Sequence, residues 1–390
     1  MNQGKYIFSQ LFEIMNRYEF DKCVNRYNGN HRVKSFYCFE QFLVMSFAQL
    51  SFRESLRDIE YCLSSMQSKL YHCGIKTLVV RSTLADANEK RNWRIYADVA
   101  KALMKIVAPM YKGDNALAKE LGTVIYAFDS TTISLCLSLF PWAVYSKRRK
   151  ALKVHVLLNT DGSIPEFVHI TNANRQDMLV MDELSYKAGC FYVLDKAYVH
   201  YRRLYKIELC KAFFVTRGKA NMSYVVKKNQ SVDRDNGVVK DQLIVMRRWH
   251  TRRWYPTLIR RIEYKDADTG KRFVFLTNHL LLDAQVIASL YKERWKVELF
   301  FKWIKQHLRI KKFFGNSENA VKTQIWIAVC NYLQIAFLKK RFNIPLSLNQ
   351  IMQVLSVNLF EKCELKNLFF EEQTKTISKQ PLLFDKLTGQ

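Results

Sequence analysis

The chain is poor in glycine, proline and acidic residues. Its 390 residues include 12 Gly and 6 Pro, too few for a linker-rich protein, and 49% are hydrophobic, enough for packed domains. The length alone asks for two or three of them. Nine cysteines contain no C-x2-C pair, which speaks against a zinc ribbon and against a secreted disulfide framework. Cys136, Cys190 and Cys330 sit among apolar neighbours and read as small core residues. A reducing cytoplasm is the expected compartment. The opening residues Met1-Asn-Gln-Gly-Lys5 lack the charged-then-apolar pattern of a signal peptide. The most apolar long stretch, near Trp326 to Leu338, is interrupted by Asn331 and Gln334, so it reads as a buried helix, not a membrane span.

The shortage of acid has the largest consequence. Against 62 Lys and Arg stand 35 Asp and Glu, a formal charge of +27. Such an excess favours a polyanionic partner, nucleic acid first and an anionic membrane surface second. The cations are spread along the chain, which argues against a simple basic tail.

The hydrophobic period divides the chain. Up to about residue 115 it is helical: Ile7 to Met15, Phe36 to Leu50, Ser55 to Ser65 and Asn92 to Met110 repeat apolar residues every three or four positions. Between them Val80 to Arg91 reads as a helix capped by Ser82 or Thr83, with a basic face that includes Arg81, Lys90 and Arg91. Short helices leading into such a segment suit a helix-turn-helix entering the major groove, or equally an ordinary bundle helix.

From Thr123 the pattern becomes that of strands. Thr123 to Asp129 is a short apolar run ending in an acid, and Cys190 to Asp195 repeats it. Between them, Ala151 to Leu158 and Ile164 to Thr171 flank the turn signal Asp161-Gly162, and a helix is expected near Asp177 to Ala188. A helix around Tyr201 to Cys210 and a strand at Ala212 to Thr216 follow. Residues 217–285 then read as β-rich, with turns at Asn236-Gly237 and Asp268-Thr-Gly270. Residues 211–280 hold 16 Lys and Arg against 6 Asp and Glu. Arg247, Arg248, Arg252, Arg253, Arg260 and Arg261 lie there among Trp249, Trp254 and Tyr255, a mixture suited to phosphate contact and base stacking.

After Asp283 the run Tyr291 to Lys305 reads as one helix without Gly or Pro. At about 100° per residue, Tyr291, Arg294, Glu298 and Lys305 fall within about 60° of one another. Val297, Phe301, Ile304 and Leu308 line the apolar side. One face thus carries a phenol, a guanidinium, a carboxylate and an ammonium. On periodicity alone, a surface helix with a Glu298–Lys302 pair is an equal alternative. Ser317 then caps a long apolar helix near Val321 to Lys340, and Pro345 to Phe360 adds a helical stretch.

The spacing Tyr291-x2-Arg294-x3-Glu298-x6-Lys305 resembles the signature of bacterial insertion-sequence transposases of the DDE type, which move DNA by cut and paste. Asp129-Ser-Thr-Thr and Asp195-Lys-Ala-Tyr198 resemble the segments that follow the family's other two acids. The second has Lys196 and Ala197 where the family more often shows an arginine or a glycine.

The resemblance implies an RNase H-like mixed sheet flanked by helices, interrupted by a β-rich insertion and preceded by an all-helical domain. On that plan, residues 1–115 form the helical DNA-binding domain and 120–216 the first part of the core. A basic insertion follows at 217–285, the second part of the core at 286–345, and a helical segment and tail at 346–390. The gap of 103 residues (298 − 195) between the last two acids leaves room for the insertion.

The resemblance also implies that Asp129, Asp195 and Glu298 are the catalytic acids and hold two Mg²⁺ ions, with Mn²⁺ able to substitute. Carboxylate oxygens suit such hard cations. Tyr291, Arg294, Lys302 and Lys305 would then bind DNA phosphates, and Trp295 would support or stack on the DNA. The implied partners are double-stranded DNA, at terminal inverted repeats and at the target, and a second copy of the chain in a synaptic dimer. No membrane partner is implied, and the setting is the bacterial cytoplasm at the nucleoid. The alternatives are another nuclease on the same fold and a DNA-binding protein that has lost catalysis. His155, alternating with Val154 beside Lys153, reads as a core histidine, not a ligand.

Overall fold

The computed structural model describes residues 4–136, 138–146, 149–232, 236–267, 269–307 and 313–370. The N-terminal part holds α1 (Ile7–Leu11), α2 (Arg17–Arg26), α3 (Cys38–Leu50), α4 (Leu56–Ser64), α5 (Gln67–Leu70), α6 (Arg81–Lys90), α7 (Arg94–Val107) and α8 (Ala116–Glu120). Helix α3 is apolar on every side, and Phe42, Val44, Met45 and Ala48 are fully buried, as befits the central helix of a bundle. The same core takes in the face of the sheet that carries Ala127, Val154 and Val156.

A polar network ties the helices together. Gln41 donates to Asn88 at 2.7 Å and accepts from Tyr96 at 2.7 Å, while Gln49 donates to the Gln324 carbonyl at 2.8 Å. Arg91, expected on a DNA-facing surface, belongs to this network: its guanidinium donates to Gln41 at 3.0 Å and to the Phe36 carbonyl. The cap of α6 is Val80, which makes no side-chain bond, so Ser82 and Thr83 lie inside the helix on its exposed face. Arg81 and Lys90 are exposed as well, and Lys90 pairs with Asp86 at 2.6 Å.

Among the described residues ten strands form one sheet: β1 (Ile125–Leu135), β2 (Val144–Ser146), β3 (Arg149–Asn159), β4 (Ile164–Asn172), β5 (Phe191–Leu194), β6 (Phe213–Arg217), β7 (Tyr224–Asn229), β8 (Val238–Met246), β9 (Ile259–Lys265) and β10 (Arg272–Thr277). β4, β3 and β1 run antiparallel, and β1, β5 and β6 run parallel, the last two joined by α9 (Tyr201–Leu209). This order, β4-β3-β1-β5-β6, is the RNase H-like core. β5 is apolar throughout because both its faces are covered: Tyr192 and Leu194 enter one core, and Phe191 and Val193 another.

Three expectations change here. β1 runs six residues past Asp129, because pairing with β3 continues to Leu135↔Lys150 after the parallel pairing with β5 stops at Phe128↔Leu194. The region Asp177 to Ala188 holds only a 3₁₀ segment, Asp177–Glu183, followed by irregular chain. Cys190 and Cys330 are buried, whereas Cys136 is exposed just past the end of β1.

The strands of residues 217–285 extend this same sheet. β10 pairs antiparallel with β6, and β9, β8 and β7 follow outward. Three residues grouped above with the DNA-facing cations and aromatics serve the packing of this extension. Arg260 is 5% exposed and grips Asp241, itself 4% exposed, at 2.6 Å. Arg261 bonds to Gln242 at 3.0 Å, and Tyr255 is fully buried with its hydroxyl on Glu208. Arg260 also donates to the Leu282 carbonyl, so the pair fastens the outer strands to the chain that leads into the next helix. Asp241→Ala strands the buried guanidinium, and urea unfolding should register a loss of about 3–5 kcal/mol. A loss of under about 1 kcal/mol, the scale of a surface pair, would contradict that role.

Candidate active site

The register of the sheet brings the first two acids together. Phe128 of β1 pairs with Leu194 of β5, so Asp129 and Asp195 occupy the next step of neighbouring parallel chains. Asp129 lies within β1 and accepts the Ser130 N–H at 2.8 Å. Asp195 follows β5 and caps the 3₁₀ turn Lys196–Tyr198, accepting from the Ala197 N–H at 3.2 Å.

The third acid comes from a helix pair. The expected single helix is two, α11 (Ala284–Lys292) and α12 (Trp295–His307), broken at Glu293-Arg294. Across the break the backbone makes tight three-residue bonds: Arg294 N–H to the Tyr291 carbonyl at 3.2 Å and Val297 N–H to the Arg294 carbonyl at 3.2 Å. Glu293 is tied down by Lys296 at 2.6 Å and by the Asn115 amide. Val297, Phe301 and Ile304 are buried as expected, while Leu308 lies outside the described residues. Glu298 sits in the first turn of α12, which packs on β1 and β3.

Arg294 and Tyr291 meet the acids directly. Arg294 donates to Asp129 Oδ2 at 2.9 Å and to Glu298 Oε1 at 2.6 Å. The Tyr291 hydroxyl donates to Asp195 Oδ1 at 3.4 Å. Lys305 reaches the Thr132 carbonyl on β1 at 3.0 Å. Lys302 is exposed, and Trp295 is 57% exposed. Glu298 thus pairs with the arginine four residues before it, and that arginine also holds Asp129 of β1.

Burial pushes the Asp129 carboxyl up to about 6, opposed by the Ser130 N–H and Arg294 and reinforced by the charges of Asp195 and Glu298. Asp195 and Glu298 thus both lie near enough to Asp129 for their charges to act on it. Among the described residues no group of three or more His, Cys, Asp or Glu is drawn up around a common ion position. The donor chemistry nonetheless fits a hard divalent cation, since a guanidinium now supplies the positive charge that two of the carboxylates need. His155 is fully buried, bonded to Thr171 at 3.0 Å, and burial holds it near 4, as suits a core histidine.

Residues 120–334 match the family described as Transposase DDE domain. The chain belongs to this family. Residues 3–76 match a domain of unknown function, DUF4372. A putative transposase of Sinorhizobium fredii is 35% identical to this DDE-family chain over 268 residues, 67% of the chain and 73% of the relative. A probable transposase for an insertion sequence element of Geobacillus stearothermophilus is 30% identical over 259 residues, 64% and 67% of the two. Among solved structures, a piggyBac transposase synaptic complex with hairpin DNA matches with a TM-score of 0.44 and 9% identity, over 96% of this chain and 84% of that one.

The neighbours of Tyr291 and Arg294 in this DDE domain were missed in the sequence. Arg217, at the end of β6, lies 5.9 Å from the ring centres of Phe273 and Tyr291. With Tyr264, Phe275 and Trp295 it lines a cavity of about 490 Å³ beside Arg294. Only the pairing of β6 with β10 brings Arg217 there, so no local signal announces it. A larger cleft of about 1160 Å³, between α7 and β4, contains none of the three acids. Of the tentative DNA contacts, Arg247, Arg248, Arg252 and Arg253 are exposed around α10 (Trp249–Trp254), with Trp249 65% and Trp254 41% exposed.

The raised value of Asp129 has a consequence for the metal-free protein. Between its ordinary value of 3.8 and about 6 the folded chain keeps a proton that the unfolded chain has lost. Stability relative to Asp129→Asn should therefore fall as pH rises through that window, by about 3 kcal/mol in all. Parallel stability curves for the two proteins would contradict the shift.

Proposed function

We propose that this chain moves an insertion sequence by cutting DNA at the element's ends and joining the released 3′-hydroxyl to a target. Asp129, Asp195 and Glu298 are the residues that would hold the divalent ions, Mg²⁺ or Mn²⁺. When bound, such ions neutralise phosphate charge, activate the attacking oxygen and stabilise the leaving one.

The chain's own side chains do the rest. Arg294, Lys302 and Lys305 bind and orient the phosphates flanking the scissile bond, the guanidinium by a two-pronged contact and the ammonium groups as point charges. Tyr291 adds a hydroxyl donor. Water attacks first and frees the 3′-hydroxyl. That hydroxyl attacks the opposite strand to form a hairpin, which is reopened before joining to the target. Two copies of the chain would hold the two ends in one complex. The observation that carries this reading is that Arg294 and Tyr291, two members of the signature, touch all three acids although these lie far apart in sequence.

The exposed arginines and tryptophans at α10, and Arg81 and Lys90 on α6, form the wider DNA surface in this reading. The helical residues 1–115 would supply binding contacts, 120–216 and 286–345 the catalytic core, 217–285 the basic insertion, and 346–390 a closing helical segment.

Cleavage of a duplex carrying the terminal repeat, in Mg²⁺, is the test. Wild type should nick it, and Asp129→Ala, Asp195→Ala and Glu298→Ala should each fall to background. Cleavage by any of the three at the wild-type rate would sink the assignment. Replacing Arg247, Arg248, Arg252 and Arg253 together by alanine should flatten the dependence of log affinity on log salt by about 3 to 4, near 0.9 per lost phosphate contact. An unchanged slope would remove this face from the DNA surface.

A further inference from the structure

We propose that Arg294 stands in for the metal: its guanidinium holds the positive position between Asp129 and Glu298, and metal and Arg294 compete for those carboxylates until a DNA phosphate draws the arginine away. The inference rests on the assignment of these acids as metal ligands and adds an order of assembly to it. DNA binding and metal binding then become one coupled equilibrium.

Three observations carry it. One guanidinium spans two carboxylates from different elements, Asp129 of β1 at 2.9 Å and Glu298 of α12 at 2.6 Å. The side chain is 15% exposed, and its Nε–H is buried without a hydrogen-bond partner. A buried donor left unpaired costs free energy, so the cation is held by its two acids and not by a fully complementary pocket. An exit also exists: the cavity lined by Arg217, Lys292, Tyr291 and Trp295 includes Arg294 in its wall. The wall also holds Asp266, which pairs with Lys292 at 3.7 Å, so Arg217 and the rings of Tyr291 and Trp295 are what suit a DNA phosphate there.

The energetics give the direction. Two adjacent carboxylates need a cation, and while the guanidinium supplies it a metal must displace an existing pair of charge-assisted bonds. A phosphate offers Arg294 an equivalent anionic partner, so displacement becomes cheap only when DNA is present. By reciprocity, metal must then tighten DNA binding by the same factor. A chain built this way binds little metal before DNA is seated.

Calorimetric titration with Mn²⁺ tests this. Arg294→Met keeps the bulk of the side chain and supplies neither charge nor an oxygen ligand. In the absence of DNA it should bind Mn²⁺ about tenfold or more tighter than wild type, within the usual 5–150-fold range of such couplings. In wild type, a duplex carrying the inverted repeat that flanks the gene should tighten Mn²⁺ binding by a similar factor. Equal or weaker Mn²⁺ binding by the Met variant overturns the proposal. Should that variant not fold, the wild-type titration decides, and Mn²⁺ affinity unchanged by DNA overturns it. Asp129→Asn separates the two levels. If it leaves Mn²⁺ binding intact, the acids are not the ligands and both readings fall. If it abolishes binding while Arg294→Met matches wild type, only the competition is wrong.

Discussion

A half-buried guanidinium fastens the sheet to the helix that closes the site. Arg294 joins Asp129 in the middle of β1 to Glu298 at the start of α12. Removing a charge from water is costly unless the partners are well placed, and two carboxylates within 3 Å meet that demand. Much of the local structure follows. The chain breaks at Glu293-Arg294, so α11 delivers Tyr291 toward Asp195 while α12 lays Val297, Phe301 and Ile304 into the core. Glu293, bound by Lys296 and Asn115, anchors the break itself.

The sheet supplies the other half of the arrangement. β1 and β5 stop pairing one step before their acids, which leaves both carboxylates where the parallel ladder opens. Beyond β6 the sheet continues through β10 to β7, held by the buried Arg260–Asp241 pair. That extension brings Phe275 against Tyr291 and Phe273 under Arg217, and presents the cations and tryptophans of α10 to solvent. One continuous sheet therefore carries both the acids and a large share of the positive surface.

Most of the core could be read from the sequence because its signals are local. The apolar run before Asp195 is a strand covered on both faces, and the Asp161-Gly162 turn joins β3 to β4 with Gly162 at a positive φ of 64°. Ser317 caps α13 (Glu318–Arg341) through the Ala320 N–H, as its spacing implied. What could not be read depends on partners distant in sequence. β1 outlasts its acid because β3 is longer than β5. The helix break at Arg294 answers to an aspartate 165 residues earlier. Arg260, Arg261, Tyr255 and Arg91 have the composition of a DNA surface, but each has found a buried or half-buried partner within the fold. Composition gives the charge of such residues and says nothing of which way they point.

We propose that Asp129, Asp195 and Glu298 form one metal site, from which Arg294 withdraws when DNA arrives. Anomalous diffraction from crystals of the full chain with Mn²⁺ and a terminal-repeat duplex tests it directly. Manganese peaks are expected among the three carboxylates, with the Arg294 guanidinium on a DNA phosphate. Manganese bound elsewhere, with Arg294 still bridging Asp129 and Glu298 beside the seated DNA, would contradict it.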